Sequence, residues 1–549
     1  MTRLGSRLGT GLAVVVGVVF AGGFCDGMAA AGDQPIRRGE RLIYPEGAVI
    51  PRSLTPTERG YLRDHPLAPP SRTDGPPTGP IHCVAEYEPM EGILIAWEGF
   101  TTILKELALH ITTTGDADLY VVVDSGSEQN TAYSALSSYG VNMDRVHFVV
   151  RTTDTVWIRD YGPRYIYEGQ CRAIIDHTYN RPRPNDNLFN DYFGIYKNHA
   201  QYDIPLVHGG GNYHLNALDQ SHTSRLICNE NPNLTDQEII DLWMAYQNVL
   251  TTLWTPFPSN IDSTQHIDMW MQIVADDVII ISDWPYNSGS SQDQVCDGAA
   301  ADFASWGWNV YRVPARYVSY THYTYTNMVV CNDLILLPYY TNGSVAPHNA
   351  EALAAVQAAC PDKTVVQVNC EQIIGSAGAI HCIVMHVPEP WGGENPTTYL
   401  ENCRGGEVFD PDEVVEVNWI SDDNIGVTNV DILLSTDGGA SFDIVVVEGT
   451  ADDGSYGWTV PDLYTTQGRL RVVVHDADGN SGSDESDSDF TINGSGIPGD
   501  IDGDGDVDTS DLLALLADWG CSGEDCVGDV DGDGDTDTSD LLMLLANWG

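Results

Sequence analysis

The chain has few basic residues and few long apolar runs. Lys and Arg together number 25 against 79 Asp and Glu, which gives a formal net charge of −54 over 549 residues. Because contacts to nucleic-acid phosphates require Lys and Arg, we expect no nucleic-acid partner. No run beyond the first thirty residues is long and apolar enough to span a bilayer, so we also expect no membrane span.

The N-terminus is typical of a secretion signal. Arg3 and Arg7 precede a short apolar core from Leu12 to Phe20, and small residues follow it. A lipoprotein signal using Cys25 is an alternative, but Phe24 is bulky where lipidation sites favour a small residue. We therefore predict a signal peptide over residues 1–31 and a secreted or cell-surface protein.

Export permits disulfides, and the chain has 12 cysteines. Cleavage of the signal removes Cys25, and setting Cys382 aside leaves ten cysteines. This even number is compatible with disulfide pairing but does not show which cysteines pair. Cys521 and Cys526, in CSGEDC, are the two cysteines that we expect to form a local disulfide. Cys382 itself lies in GSAGAIHCIVM, at the expected start of a strand, where it could be a disulfide partner, a buried small residue or a nucleophile.

Composition divides the mature chain into four zones. Residues 32–80 are proline-rich and include a linker-like stretch, Pro66 to Pro80. Residues 81–390 alternate apolar runs with helical patterns, which predicts an α/β domain with strands buried on both faces. Residues 404–493 have short strands between Asp- and Gly-rich turns, which predicts an accessory β-sandwich of immunoglobulin or fibronectin type. Residues 498–549 contain a tandem repeat.

The repeat is strongly acidic and has calcium-loop spacing. GDIDGDGDVDTSDLLALLADWG recurs as GDVDGDGDTDTSDLLMLLANWG, each with oxygen ligands where a twelve-residue loop needs them. The predicted ligands are Asp500, Asp502, Asp504, Asp506, Asp508 and Asp511 in the first copy, and Asp529, Asp531, Asp533, Asp535, Asp537 and Asp540 in the second. This duplicated loop and helix resembles a dockerin type I domain, which implies two calcium ions and a cohesin-like partner. A disordered acidic tail is the alternative.

Two further motifs supply candidate partners for Cys382. DTVWIRDYGP places Asp160 at an expected strand-to-turn transition, and STQHIDMW places His266 and Asp268 on one face if the segment is extended. Two carboxylates suit a guanidinium, whose planar fork pairs with them through two hydrogen bonds. Cys382 could then attack the central carbon while His266 transfers protons.

Each of these residues has a structural alternative. An isolated His-x-Asp favours a structural or metal role, and an isolated cysteine is more often a core residue or a disulfide partner. A zinc hydrolase built on His208, His266 and Asp268 also stays open, although no HExxH or paired-cysteine spacing accompanies them.

The ordered motifs resemble one family. WIRDYGP, YNRPRPND, HGGGNYH, QHIDMW, YTYTN and AIHC follow one another as in the bacterial, Porphyromonas-type peptidylarginine deiminases and agmatine deiminases of the guanidine-modifying superfamily. The resemblance implies a five-bladed α/β propeller (pentein fold), catalysis without a metal, and Cys382, His266, Asp160 and Asp268 as the catalytic set. It also implies that Asn327 lies near the active centre and that Trp157 walls the pocket.

The resemblance implies deimination of arginine, or of agmatine for putrescine biosynthesis. Arg181 and Arg183 in YNRPRPND are predicted to bind a substrate carboxylate, which favours peptides ending in arginine over agmatine; an ion pair with Asp186 is the structural alternative. A departure follows HGGGNY, where HLNALD replaces the expected Thr-Asp-Gly-like continuation. An alternative from a different functional class is a binding protein that lacks catalytic activity and is anchored by its dockerin-like tail.

Overall fold

A computed structural model of the chain describes residues 33–45, 47–69, 75–494, 496–503, 506–523 and 526–549. The predicted signal peptide, residues 1–31, lies outside the described residues, and so does the predicted ligand Asp504.

The described part of residues 33–69, called here the N-terminal strap, forms a hairpin and a helix. Strands β1 (Ile36–Arg38) and β2 (Arg41–Ile43) are antiparallel, and α1 spans Pro56–Asp64. Helix α1 begins where Thr55 and Glu58 form a reciprocal capping box. The described part of the proline-rich zone therefore contains regular secondary structure.

Residues 81–388 form the α/β domain. Its strands are β3 (Ile81–Cys83), β4 (Met90–Ala96), β5 (Asp118–Val123), β6 (Val146–Val150), β7 (Arg164–Glu168), β8 (Cys171–Tyr179), β9 (Ala200–His208), β10 (His214–Leu215), β11 (Gln220–Ser224), β12 (Leu250–Trp254), β13 (Met271–Ala275), β14 (Val278–Asp283), β15 (Asn309–Pro314), β16 (Arg316–Val318), β17 (Thr321–Tyr323), β18 (Val329–Cys331), β19 (Leu334–Tyr339), β20 (Thr364–Asn369) and β21 (Met385–Pro388). Its helices are α2 (Thr101–Thr113), α3 (Gly126–Tyr139), α4 (Ile158–Tyr161), α5 (Pro184–Asn187), α6 (Phe189–Lys197), α7 (Leu226–Glu230), α8 (Asp236–Gln247), α9 (Ser291–Ser305) and α10 (Asn349–Ala359).

Within these described residues, five sheets share one arrangement of strands. Their orders are β21-β4-β5-β6, β3-β7-β8-β9, β10-β11-β12, β13-β14-β15 and β18-β19-β20. Each contains an antiparallel pair and a parallel pair whose connection carries at least one helix, such as α9 between β14 and β15. Strand β21, from the end of the domain, pairs with β4 from its beginning, so the two ends of the domain meet in one sheet.

Two further sheets form the β-domain. Its strands are β22 (Thr397–Leu400), β23 (Val408–Phe409), β24 (Val414–Asp422), β25 (Asn429–Ser435), β26 (Ile444–Thr450), β27 (Ser455–Thr459), β28 (Tyr464–His475), β29 (Ser481–Glu485) and β30 (Phe490–Asn493). One sheet has the order β22-β24-β27 and the other contains β23, β30, β28, β25, β26 and β29. Because β22 pairs with β24, this domain begins earlier than the predicted boundary at residue 404.

The β-domain contacts the α/β domain through a buried ion pair. The Arg172 guanidinium on β8 donates from Nε to Oδ2 of Asp422 at 2.8 Å and from Nη2 to Oδ1 at 2.9 Å. Both side chains have no solvent exposure. Although burial opposes ionisation of Asp422, Arg172 outweighs it and holds the pKa of the carboxyl below its usual range. The β-domain is thus anchored to the α/β domain rather than merely spaced from it.

The C-terminal repeat forms two helices, α11 (Thr509–Ala517) and α12 (Thr538–Ala546). Asp508 and Asp537 cap them in the same way, each paired with the aspartate three residues later. The predicted Cys521–Cys526 disulfide is confirmed. The other nine cysteines of the described chain are free thiols, so the wider pairing that parity allowed does not occur among them. None of the described helices has the length and apolar character needed to cross a membrane.

We predict that Arg172→Ala loosens the anchored β-domain. The change leaves Asp422 buried without its cation, and breaking a buried pair costs about 3–5 kcal/mol. Calorimetry should show a lower melting temperature than for wild type. Arg145→Ala, which removes a partly exposed pair with Asp116, is the matched control and should change the melting temperature little. Equal melting temperatures for the two variants would contradict the prediction.

Candidate active site

Cys382 lies on a single 3-10 turn, His381–Ile383, just before β21. The strand begins three residues later than the sequence indicated, and the cysteine is fully buried rather than part of the sheet. Gly378 passes so close that a Cβ there would lie 3.0 Å from Sγ of Cys382 and 2.6 Å from Cζ3 of Trp157. The small residues before Cys382 therefore leave room for the side chains of both Cys382 and Trp157.

Asp160, His266 and Asp268 come from two other turns. Asp160 lies on the short helix α4, and His266 precedes a 3-10 turn, Ile267–Met269, that contains Asp268. The extended conformation that would place His266 and Asp268 on one face of a strand is therefore not adopted, because the segment turns. All three side chains are nevertheless fully buried around one point.

The point where these side chains meet is filled by Arg52 of the N-terminal strap. Its Nε and Nη2 donate to the two carboxylate oxygens of Asp160 at 2.9 and 2.7 Å. Its Nη1 and Nη2 donate to the two oxygens of Asp268 at 3.2 and 3.0 Å. Carboxylates therefore bind two edges of the guanidinium, which has no solvent exposure.

Cys382 and His266 complete the surroundings of this guanidinium. Nη1 of Arg52 lies 2.6 Å from Sγ of Cys382, and Nη2 lies 2.7 Å from Nδ1 of His266. Because a guanidinium only donates hydrogen bonds, Nδ1 can take part in this contact only as an acceptor. His266 is also 3.4 Å from Oδ1 of Asp160. The Cys382 thiol and the His266 imidazole therefore contact the same guanidinium.

The charges of the site depend on this cation. Burial opposes ionisation of Asp160 and Asp268, yet the Arg52 guanidinium overcomes it and holds the pKa of both carboxyls well below the usual range. Burial raises the pKa of the Cys382 thiol, an effect that Arg52 opposes and the two carboxylates reinforce. A bound guanidinium is therefore the group that favours the thiolate.

The HGGGN motif shapes the floor of the site. The backbone N–H of Gly211 donates to Oδ1 of Asp160 at 3.2 Å. A Cβ on Gly211 would overlap Nη2 of Arg52 and come within 2.7 Å of Oδ2 of Asp268. A glycine is therefore required here for close approach to the guanidinium.

Asn327 and Trp157 lie beside Cys382. Nδ2 of Asn327 is 3.1 Å from Sγ of Cys382, and its Oδ1 accepts from the Ala379 backbone N–H at 3.1 Å. The Trp157 ring is fully buried, and its Nε1 donates to the carbonyl of Ile50 at 2.8 Å. Asn327 thus orients the cysteine turn, and Trp157 contacts the backbone of the strap at Ile50.

Arg181 and Arg183 bind the strap rather than a free carboxylate. Nε of Arg181 donates to the carbonyl of Arg52 at 3.1 Å. Nη2 of Arg183 donates to the carbonyl of Pro51 at 2.7 Å, and its Nε pairs with Glu58 at 2.8 Å. The ion pair with Asp186 that the sequence left open is replaced by the pair with Glu58, because α1 of the strap covers this edge of the site.

Sequence reasoning missed a charged chain behind Asp268. Nδ1 of His381 lies 3.1 Å from Oδ2 of Asp268, and its Nε2 lies 3.0 Å from Glu86. Arg159 pairs with Glu86 at 2.7 Å in turn. Both nitrogens of His381 face carboxylate oxygens, so both donate only when the ring is cationic. His381 directly precedes the cysteine and Arg159 directly precedes Asp160 in the recognised motifs, which is the signal that could have found them.

The HLNALD departure brings His214 into the same region. Its ring centroid is 5.3 Å from that of His381, and burial lowers the pKa of His214 to about 3. The departure therefore lies behind Asp268 and places a neutral ring next to the charged chain.

Among the described residues, the predicted calcium ligands lie on the turns before α11 and α12, except Asp511 and Asp540, which lie in the first turns of these helices. Asp500, Asp502 and Asp511 can each offer an oxygen within 4.8 Å of the others. In the second loop, Oδ1 of Asp529 is buried without a hydrogen-bond partner, and the neighbouring carboxylates Asp533 and Asp540 help to raise the pKa of Asp531. This all-oxygen, mutually repelling donor set fits a hard cation.

A buried cysteine, a histidine and two carboxylates around a guanidinium define a guanidine-modifying site. The family model of the Porphyromonas-type peptidyl-arginine deiminases matches residues 82–388, and the chain belongs to that family. It is a hydrolase acting on C–N bonds of linear amidines.

Named relatives match this chain over most of their own length. The chain is 23% identical to a Marinomonas sp. protein named "Putative agmatine deiminase", over 56% of this chain and 94% of that protein. A Selenomonas ruminantium protein of the same name is 21% identical, over 55% and 95% of the two chains. The solved agmatine deiminase of Enterococcus faecalis has a TM-score of 0.50 at 18% identity, covering 58% of this chain and 99% of that one. This likeness supports the fold of the α/β domain.

We predict that Cys382→Ala abolishes turnover of guanidines while the fold survives, because it removes the only thiol that contacts the guanidinium among the described residues. The expected loss in kcat is at least about a thousandfold, measured by ammonia release. Cys296→Ala, at another buried free thiol on α9, is the matched control and should keep its activity. Cys382→Ala turnover within tenfold of wild type would rule out the covalent route.

Proposed function

We propose that the protein is a secreted peptidylarginine deiminase that converts arginine to citrulline and ammonia. The observation that carries this proposal is that the site holds the side chain of an arginine whose main chain continues on both sides, from Pro51 to Ser53. Agmatine has no main chain, whereas Arg181 and Arg183 both donate to main-chain carbonyls of the bound segment.

The chemistry follows from the contacts. Cys382 Sγ forms a bond to the guanidinium carbon, and its proton passes to His266. His266 returns that proton to Nη2, the nitrogen nearest to it, and the carbon–nitrogen bond breaks to release ammonia. Water then adds to the thiouronium carbon and gives one proton to His266, and the carbon–sulfur bond breaks as the second water proton passes from the new oxygen to Sγ. The proton on His266 is taken up by the released ammonia, which leaves as ammonium. The products are a ureido group and the regenerated thiol, and Asp160 and Asp268 hold the substrate cation throughout.

Arg181 is the residue we assign to the carbonyl end of the substrate arginine. It donates to the carbonyl of Arg52, which is where a C-terminal carboxylate of a shorter peptide would lie. A carboxylate there would form a charge-assisted contact, so we propose that peptides ending in arginine are preferred. Arg183 contacts the preceding carbonyl, that of Pro51, and supports the peptide one residue earlier.

The α/β domain is proposed to be a five-bladed propeller with the active site at its centre. Support comes from the five sheets of like strand order and from the pairing of β21 with β4, which joins the ends of the domain. A ring closed in this way would bring Asp160, Asp268 and Cys382 together from distant parts of the chain.

The C-terminal repeat is proposed to be a dockerin-like domain that binds two calcium ions and a cohesin-like protein. Its two loops repeat the same caps, and the donor set is all oxygen. Export is proposed on the signal-like residues 1–31. The anchoring domain would then hold the deiminase at a surface outside the cell.

The substrate assignment predicts a different effect of Arg181→Ala on each substrate. Using protein that carries Arg52→Ala to vacate the site, kcat/KM for a peptide ending in arginine should fall by about tenfold to a thousandfold, since one charged contact is lost. Turnover of agmatine should barely change. Citrulline and ammonia release from both substrates provides the measurement.

Two results would contradict this proposal. Agmatine proving the better substrate of protein with an intact Arg181 would favour agmatine deiminase, the function named for the relatives. No turnover of any guanidine would favour a silent binding protein. Lys363→Ala, which removes a hydrogen bond to the carbonyl of Asn332, is a control for general damage.

We also predict that calcium orders the C-terminal repeat without affecting catalysis. Chelation should leave the acidic loops to repel one another and expose α11 and α12 to proteolysis, while deiminase activity stays nearly unchanged. Limited proteolysis with and without calcium, followed by mass spectrometry, measures this. Loss of activity on chelation, restored by zinc, would instead support a zinc hydrolase.

A further inference from the structure

The N-terminal strap enters the active site as a bound peptide would. Trp157 donates to the carbonyl of Ile50, and Arg183 donates to that of Pro51. Arg52 donates its own N–H to the carbonyl of Ser376 at 3.0 Å and accepts from Arg181. Main-chain groups on both sides of the guanidinium are therefore held by the α/β domain.

While the strap is in this position, no other guanidine can bind. The Arg52 guanidinium fills the place between Asp160 and Asp268, and Cys382 has no solvent exposure. An external substrate would have to displace the whole segment around Arg52. The strap thus excludes both the substrate and the water that the second half of the reaction needs.

The strap lies on the core of the α/β domain rather than within it. Among the described residues, none of the buried members of the core clusters comes from the strap, and Val49 contacts the largest cluster only from its edge. Polar contacts that hold the strap include the Glu58–Arg183 pair and the bond from the Tyr44 hydroxyl to the Pro182 carbonyl at 2.9 Å. The buried apolar residues of the strap include Leu42, Ala48 and Ile50, and none of these belongs to one of the six core clusters. Departure of the strap therefore exposes these side chains but opens none of the clusters.

We propose that the N-terminal strap is an internal inhibitor in which Arg52 acts as a pseudosubstrate, and that the enzyme becomes active toward other arginine peptides when the strap leaves. This proposal rests on the deiminase function proposed above. Because the strap is part of the same chain, its effective concentration at the site is of the order of millimolar, so it competes well with dilute substrates. Release of the strap, by cleavage or displacement, is the step that would switch the enzyme on.

The first experiment compares wild type, Arg52→Ala and the matched control Arg38→Ala as full-length proteins. Arg38 is an exposed arginine on β1 of the same strap, and it is not part of the site. We expect Arg52→Ala to lower the apparent KM for an arginine peptide by about tenfold or more, with little change in kcat, since it removes a competitor. Arg38→Ala should behave as wild type. Equal KM values for all three would overturn the proposal.

The second experiment does not depend on turnover. Iodoacetamide alkylation of Cys382, followed by mass spectrometry, should be slow in wild type and Arg38→Ala and at least about tenfold faster in Arg52→Ala, because the strap covers the thiol. If no protein turns over any guanidine, the proposed function fails, yet this labelling still tests the strap. Equal labelling rates would show that the strap does not cover the site.

A third measurement separates an inhibitor from a substrate. Arg52 should remain arginine in purified wild-type protein, because the covered site neither lets ammonia leave nor admits the hydrolytic water, so that attack by Cys382 reverses. A peptide with the sequence of Ala48–Thr55 should inhibit the Arg52→Ala enzyme, and the same peptide with lysine in place of arginine should inhibit at least about tenfold less, since lysine lacks the planar fork. Quantitative conversion of Arg52 to citrulline would overturn the inhibitor assignment.

Discussion

The planar cation held between two buried carboxylates is the interaction on which the site depends. Asp160 and Asp268 have no solvent exposure, and two carboxylates in such a place are strongly destabilising unless a cation neutralises them. The guanidinium supplies that charge and, with its fixed geometry, also sets where the thiol and the imidazole must lie. Binding, orientation and the ionisation of Cys382 are therefore consequences of one contact.

The fold serves this contact by bringing distant turns to one point. Asp160, Asp268 and Cys382 lie 108, 216 and 330 residues from Arg52, and none of the three is on a strand. They lie on short helical turns, which aim side chains inward more freely than an extended strand does. The sheets position these turns, and strand β21 fixes the last of them by pairing with β4 at the opposite end of the domain.

Much of the site could be predicted from the sequence, and the reason is chemical. A cysteine, a histidine and two aspartates within recognisable motifs define a guanidine site even though the local geometry of Asp160 and His266 was misjudged. Arg52 could not be found in this way, because the tripeptide around it has no motif and its partners lie far along the chain. The Glu58–Arg183 pair escaped prediction for the same reason, since α1 reaches Arg183 only in the folded protein.

The contacts that hold the strap explain why recognition and inhibition are coupled in this molecule. Arg181 and Arg183 donate hydrogen bonds to main-chain carbonyls, which every peptide carries, and the two aspartates bind the guanidinium. The strap presents both features, so a change in these residues alters the affinity for the strap and for a substrate peptide together.

Only contacts that the strap or the substrate makes alone, such as the Glu58–Arg183 pair of the strap, can shift the balance between the closed and the active protein. Because burial opposes the charge of Glu58 while Arg183 lowers its pKa, that pair persists as long as the strap stays docked. The strength of inhibition is therefore set on α1, outside the catalytic residues themselves.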